Sequence, residues 1–254
     1  RQMCIRDRFN GGYKITAVKD AAGKPLKHVI VQTMMRIIPP QPLKPGGKIT
    51  FSVDWSFNII DATKIRSRMG YEFFEEDKNH LYALAQWFPR MCAYTDVTGW
   101  QNKQFLGTGE FALEFGDYLV RITAPADHIV ASTGELQNPE AVLTKTQRDR
   151  LAKARDAKKP VFIVTLDEAK ANEKEKAKGK KTWIYKADNV RDFAWCSSRK
   201  FLWDAMGMDL NGKKIMCMSY WPKEGEPLWS RYSTHAVAHT VEVFSRYTFD
   251  YPYP

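Results

Sequence analysis

The chain has 254 residues, 44% hydrophobic, 13% aromatic and 27% charged, a balance that excludes disorder and leaves enough apolar surface for one substantial core. No apolar run approaches the roughly 18 residues of a membrane-crossing helix, so no membrane span is read. The four cysteines, Cys4, Cys92, Cys196 and Cys217, include no C-x-x-C pair, and neither a zinc ribbon nor a disulfide framework is indicated.

The net charge of +10 is uneven. Between Lys145 and Lys181, 13 Lys and Arg stand against 6 Asp and Glu. Such a run reads as a solvated helical face, and no nucleic-acid partner is expected from it.

In chain order, residues 1–8 (RQMCIRDR) carry charges without periodicity and resemble translated read-through of a sequencing adapter. They are set aside with Cys4 as an assembly artefact. No apolar stretch follows them, so no signal peptide is read, and localisation is not legible. Residues 29–38, rich in Val and Ile, read as a strand that ends at the Pro- and Gly-rich run 39–47. In residues 48–57, Ile49, Phe51, Val53, Trp55 and Phe57 alternate with polar positions, the pattern of a strand with one dry face. The two segments are expected to be antiparallel neighbours. Residues 110–115 and 118–123 also alternate, and Gly116-Asp117 between them reads as a hairpin turn. Further strands are predicted over 71–74, 81–88, 129–132, 161–165, 183–186, 191–196 and 214–220.

Helical composition interrupts these strands at 144–158 and 166–178, where Ala, Lys, Glu and Arg dominate and apolar anchors are few. Residues 226–247 place Leu228, Tyr232, Ala236, His239, Val243 and Tyr247 at helical spacing, and Pro227 suits a first turn. The pattern predicts a mainly β chain: an antiparallel β-sandwich with inserted surface helices and one long closing helix.

Several motifs invite chemistry and fail on context. His235 and His239 are spaced like the zinc pair of H-E-x-x-H, but Ala236 occupies the general-base position, and Glu242 would be a poorly placed third ligand. Gly107 to Ala112 fits G-x-G-x-x-A, yet a strand rather than a helix is predicted after the glycines. Gly207 to Lys213 fits G-x-x-x-x-G-K, but Lys214 replaces the hydroxyl residue, and Asn211-Gly212 reads as a hairpin turn. No G-x-S-x-G is present; His28, His80 and His128 are isolated; Glu75-Glu76-Asp77 reads as a solvated loop.

The order of short strings is more specific. Gln86-Trp-Phe-Pro-Arg90, Tyr94-Thr-Asp96, Gly99-Trp100, Phe105-Leu-Gly107, Gly109-Glu-Phe111, Phe115-Gly-Asp117, Pro125-Ala-Asp127, Ser132 to Asn138 and Val190 to Trp195 precede a closing helix and Phe249-Asp-Tyr-Pro-Tyr-Pro254. Collinearly, this set resembles the N-terminal part of zinc metallopeptidases of the aminopeptidase N family, the gluzincins. The resemblance implies a saddle-like sandwich over 9–218 and, over 219–254, the start of a truncated thermolysin-like catalytic domain. It implies a peptide substrate, whose N-terminal residue the intact enzyme removes, and a zinc ion whose ligands lie beyond Pro254. No metal and no catalytic residue are expected within this chain, which would be inactive alone and would pack on its missing catalytic domain.

The family's substrate-amine strings, Thr-Gln-x-Gln or Thr-Gln-x-Glu, correspond to Ala85-Gln86-Trp87-Phe88. Gln86 is retained as a substrate-binding position, while Phe88 stands where the amine ligand is usual. The lysine-rich helices have no counterpart in this comparison and read as an insertion. The alternative is a free-standing β-sandwich module that stacks sugar or peptide on Trp87, Trp100 or Trp229.

Overall fold

The computed structural model describes residues 9–65, 67, 69–104, 112–174 and 176–254. They form two compact units, the smaller from residues up to Ile60 with 87–115, the larger from 61–86 with 116–254. The chain is mainly β, with antiparallel sheets, few helices and a closing helix.

The smaller unit contains β1 (Lys14–Asp20), β2 (Lys27–Val31), β3 (Met34–Ile38), β4 (Phe51–Ser56), and the short pair β7 (Tyr94–Thr95) and β8 (Gly99–Trp100). Residues 29–38 are not the single strand expected from their composition. Gln32 takes φ +52 and reverses the chain, so β2 and β3 pair with each other from Val31–Met34 to Lys27–Ile38. The 48–57 pattern does give β4, with Phe51, Val53 and Trp55 half-buried and the intervening residues exposed. Its partner, however, is β1, Val18 lying opposite Val53. A bulge between Ile15 and Ala17 breaks the alternation by which β1 would have been recognised.

In the larger unit lie β5 (Gly70–Phe74), β6 (Asn79–Leu84), β9 (Gly116–Pro125), β10 (Ile129–Ser132), β11 (Glu135–Leu136), α1 (Pro139–Val142), α2 (Lys145–Ala154), β12 (Val161–Val164), α3 (Leu166–Lys174), β13 (Lys180–Val190), β14 (Trp195–Ser198), β15 (Leu202–Leu210), β16 (Lys213–Trp221), a 3₁₀ turn (Lys223–Gly225) and α4 (Leu228–Tyr247). They build three sheets, ordered β10-β14-β6-β5, β11-β13-β9 and β12-β15-β16. Between the first two sheets, the Tyr185 hydroxyl of β13 donates to the Val130 carbonyl of β10 at 2.6 Å. Trp183, Ile122, Val130 and Phe193 are buried in the same core.

Gly116-Asp117 is not a hairpin turn. Gly116 pairs with Val190 and opens β9, while Asp117 Oδ1 accepts from the Asn189 amide (2.8 Å) at the bulge of β13. Residues 112–115 are not in a strand, and the rest of the predicted 110–115 segment lies outside the described residues. The strand predicted at 191–196 is displaced to β14. Sequence reasoning missed β15, in which Leu202, Trp203, Asp204 and Ala205 are all buried, so no alternation appears. Asn211 (φ +53) and Gly212 (φ +84) do form the tight turn joining β15 to β16.

The helices follow their signals. Thr144 caps α2 in a reciprocal box: its hydroxyl accepts from the Gln147 amide (3.2 Å), and the Gln147 side chain accepts from the Thr144 amide (2.9 Å). Gly207 is fixed by space rather than by phosphate, because a Cβ there would lie 1.9 Å from the Arg155 carbonyl oxygen. Gly207→Ala should therefore lower stability by about 2–4 kcal/mol. Gly212→Ala, strained only by its positive φ, should cost about 1 kcal/mol. Urea denaturation of the two variants checks the ranking.

Candidate functional site

The larger unit holds three charged or polar assemblies, and each has a different use. The deepest is an ion cluster. Lys200, between β14 and β15, has a fully buried side chain whose Nζ meets Asp77, Glu173 (3.2 Å) and Glu224 (2.9 Å) and lies 4.3 Å from the Phe74 ring centroid. Lys223 pairs with Asp77 at 3.2 Å and with Glu173. The turn after β5, the last turn of α3 and the 3₁₀ turn that launches α4 are thereby tied together.

Burial alone would push the Lys200 ammonium toward neutrality, but its hydrogen bonds to carboxylates outweigh it and hold its pKa above the ordinary lysine value. Burial would likewise raise Asp77; bonds from Lys200 and Lys223 instead hold it below the usual carboxylate range. Asp77, read from sequence as solvated, is thus a structural ion.

A second assembly looks catalytic and is not. His128 Nδ1 and Ser197 Oγ are 2.8 Å apart, the geometry of a base and a nucleophile. Both are buried, and the neighbouring Asp127 carboxylate is occupied by Arg199 (3.0 and 3.3 Å) and the Ala177 amide (2.8 Å) rather than by the imidazole. Burial lowers the His128 pKa to about 4, so the ring is neutral at pH 7. His80 and His128, isolated in sequence, flank the Tyr82 ring at 5.8 and 6.4 Å.

The third assembly is α4 itself. Thr234 is its one buried residue, and Ser230, Ser233, Ala238, Val241 and Ser245 are half-buried. The large apolar side chains point elsewhere: Leu228 is 63% exposed, Trp229 44%, Tyr232 59%, Phe244 65% and Tyr247 80%. Each would contribute about 1.5–3 kcal/mol if covered. These side chains leave apolar surface exposed along the outer side of the helix. Beside the far half of α4 an open groove of about 650 Å³ is lined by Met206, Met208, Asp209, His239, Glu242 and Asp250 among others. Beyond the helix, the chain is held to the β15–β16 turn by Asn211 Nδ2 donating to Asp250 (2.8 Å) and Lys213 Nζ to the Pro252 carbonyl (2.5 Å).

The sequence-predicted residues fall as follows. His235 and His239 are exposed on α4. Among the described residues no group of three or more His, Cys, Asp or Glu side chains could hold a metal ion, so zinc does not fit here. The Gly107 to Ala112 motif lies outside the described residues except for Ala112. Gln86 is half-buried with φ +54, two residues past the end of β6 rather than within a strand over 81–88. Trp100, at 55% exposure, packs edge-on to Tyr94 (5.2 Å), and Trp87 is half-buried beside Trp55 and Phe88.

No protein-family profile and no curated protein matches the chain. Solved structures do. The fold is similar to an M1 zinc metallopeptidase from Deinococcus radiodurans, with TM-score 0.54 and 13% identity. A Glu-to-Ala mutant of M1 zinc metallopeptidase from the same organism, bound to a Tyr-Ser-Ala substrate, gives 0.54 and 12%. A two-domain M1 zinc metallopeptidase mutant bound to L-arginine gives 0.53 and 14%. In each case the match covers 96% of this chain and 45% of the other, so the chain spans under half the length of these neighbours. At such identities the likeness is one of fold.

The ionisable groups set two acid windows. Because the folded His128 pKa lies below its unfolded value of about 6.5, the unfolded state gains protons first as pH falls, and stability should drop by about 1–2 kcal/mol between pH 7 and 5. Asp77 has a lowered folded pKa, so its contribution should persist there and be lost only below about pH 4. Thermal melts of the protein and of His128→Gln should differ in slope between pH 7 and about 4 and converge in shape below it. Lys200→Met, which leaves its carboxylates facing only Lys223, should cost about 3–5 kcal/mol.

Proposed function

We propose that this chain is the front, non-catalytic portion of an M1-type zinc metallopeptidase that takes peptides by their N-termini when intact. Residues 9–218 would form the sandwich domain, and 219–254 the opening of the catalytic domain. The observation that carries the reading is a fold likeness extending over nearly the whole of this chain but less than half of each M1 neighbour. The outward apolar face of α4 supports it, since that face requires a further surface to cover it.

In this reading zinc belongs to the intact enzyme, supplying a Lewis acid for amide hydrolysis, and is held by polypeptide other than the described residues. The chain's own part is to shape and narrow the approach to the cleft. Gln86 is the substrate-binding candidate: a side-chain carbonyl at the end of β6 can accept a hydrogen bond from an α-ammonium. Phe88, two residues on, brings no such acceptor, so Gln86 would carry the polar side of that contact alone.

The test is the product of the uninterrupted gene. It should release the N-terminal residue from alanine and arginine p-nitroanilides, lose that activity to 1,10-phenanthroline and recover it with Zn²⁺. Residues 9–254 expressed alone should release nothing. Chelator-sensitive hydrolysis by that shorter polypeptide, or a full product without peptidase activity, would overturn the proposal. In the active enzyme Gln86→Ala should raise KM about tenfold with kcat little changed, as loss of a bond to a charged amine requires. Unaltered kinetics would remove Gln86 from the site.

A further inference from the structure

Soft donor atoms gather beside the far half of α4, on the side of β15 and β16 that the helix covers. Thr234 of α4 reaches Asp204 and Ser219, which are directly paired across those two strands, and this fixes which face of the sheet lies under the helix. Side chains two and four residues further along β15 lie on the same face. They are Met206 and Met208. Cys217 stands directly opposite Met206, and Ile215 opposite Met208. Gly207, between the two methionines, faces the other way, toward the Arg155 carbonyl.

Above these sulfurs runs the helix. Five residues of helix rise about 7.5 Å and two of strand about 6.6 Å, so with Thr234 over Asp204, His239 stands near the level of Met206. The open groove of about 650 Å³ is accordingly lined by Met206, Met208 and His239 together. His239 is exposed and both methionines are half-buried, so all three are within reach of solvent. His235, the other member of the helix pair, does not line the groove.

Two thioethers and an imidazole around one opening are a donor set for a soft cation. Thioether sulfur suits Cu(I), whereas zinc sites are built from Cys, His and carboxylates, and magnesium and calcium sites from oxygen. The harder donors do not assemble: among the described residues no three His, Cys, Asp or Glu side chains could hold a metal ion. The rim supplies negative charge on a chain whose net charge is +10, since Asp209, Glu242 and Asp250 stand against Arg246 alone. Each of these carboxylates already accepts a bond: Asp209 from the Gly212 amide (2.9 Å), Asp250 from Asn211 Nδ2 (2.8 Å) and Glu242 from Arg246 (3.0 Å). They draw a cation in but leave its coordination to sulfur and nitrogen.

We infer that Met206, Met208 and His239 form a binding site for a monovalent soft cation, Cu(I) in kind, in the groove between β15 and the far half of α4. A thioether has no proton to lose, so capture forms sulfur–copper and nitrogen–copper bonds without a thiolate and without a change of oxidation state. Cys217, buried opposite Met206, adds a further soft atom at the floor. Met216 and Met218 of β16 differ: they lie on the face away from α4, where the Tyr220 hydroxyl donates to the Met218 sulfur (3.4 Å). The inference goes beyond the proposed function, and its test needs no peptidase activity.

Anaerobic titration of the 254-residue chain with Cu(I), against bicinchoninate as competing chelator, tests it, together with methionine-methyl NMR spectra of the labelled chain during addition of Ag(I). The chain should retain Cu(I) but not Zn(II), and of its nine methionine methyls those of Met206 and Met208 should shift first. Even outer contacts of a metal site are worth about 10–100-fold in affinity, so the double variant Met206→Leu with Met208→Leu should bind Cu(I) about 100-fold more weakly, and His239→Ala about tenfold. Leucine conserves the volume and His239 is exposed, so the circular dichroism melts should match the parent. Cys92→Ser, altering a thiol of the smaller unit, should bind as the parent does. Copper held equally tightly without the two thioethers overturns the inference, as does retention abolished by Cys92→Ser, since either assigns the metal to thiols. Equal retention of Zn(II), or no retention of Cu(I), overturns it too. Should the leucine variant melt early, the methyl shifts of the parent and the affinity of His239→Ala still decide.

Discussion

A fully buried ammonium is the constraint around which the larger unit is arranged. Lys200 follows β14, and a chain that buries an unpaired lysine there would pay several kcal/mol in lost hydration. Three carboxylates must therefore converge on one point, and they come from segments far apart in sequence: Asp77 after β5, Glu173 at the end of α3, Glu224 in the 3₁₀ turn. Lys223 restores part of the balance by pairing with two of them. The lysine-rich helical segment thus does more than decorate the surface. Its exposed lysines are solvated, but the one buried acid of α3 is a structural member of the cluster.

The consequence runs directly to the closing helix. With the 3₁₀ turn fixed by Lys223 and Glu224, the chain enters α4 from a defined point. Glu226 then engages Trp221, and the first turn cannot drift along the sheet. Beneath the helix, Thr234 meets Asp204 and Ser219. Ion pairs thus tie down the point where the helix starts, and hydrogen-bond contacts of Thr234 with Asp204 and Ser219 hold its sheet-facing side.

What the sequence made legible follows from period. β4, β10, β12 and β16 carry enough alternation or β-branched character to be recognised, and Asn211-Gly212 declares its turn. α2 declares its start through Thr144 and Gln147. The misses share a cause: β1 is bulged, β15 is buried on both faces, and β2 and β3 turn at Gln32, a residue without the usual signature of positive φ. Gly116-Asp117 looked like a turn because its role, opening β9 and capping a bulge 72 residues away, is decided by tertiary structure alone. The stripe on α4 was legible as a pattern, yet its direction was not. Spacing shows that apolar residues share a side; only Thr234 meeting Asp204 shows that it is the outer one.

The same distinction limits what can be transferred from fold to chemistry. His235 and His239 carry a spacing found in zinc sites, and His128 with Ser197 carries a distance found in hydrolytic dyads. Each fails for want of a third element: among the described residues no metal-holding group of three His, Cys, Asp or Glu side chains includes the helix pair, and the carboxylate beside the dyad, Asp127, is taken by Arg199 and the Ala177 amide. Gln86 differs in that its environment neither supplies nor excludes a substrate amine; a polar side chain at a strand end with positive φ can be there for the turn or for the ligand. Backbone shape is preserved at 12–14% identity because cores tolerate exchange of apolar residues. A substrate contact has no such tolerance, since replacing one amide by a phenyl ring removes the acceptor outright. The balance between those two tolerances is why the architecture of this chain is readable from its neighbours while its specificity has to be measured on its own side chains.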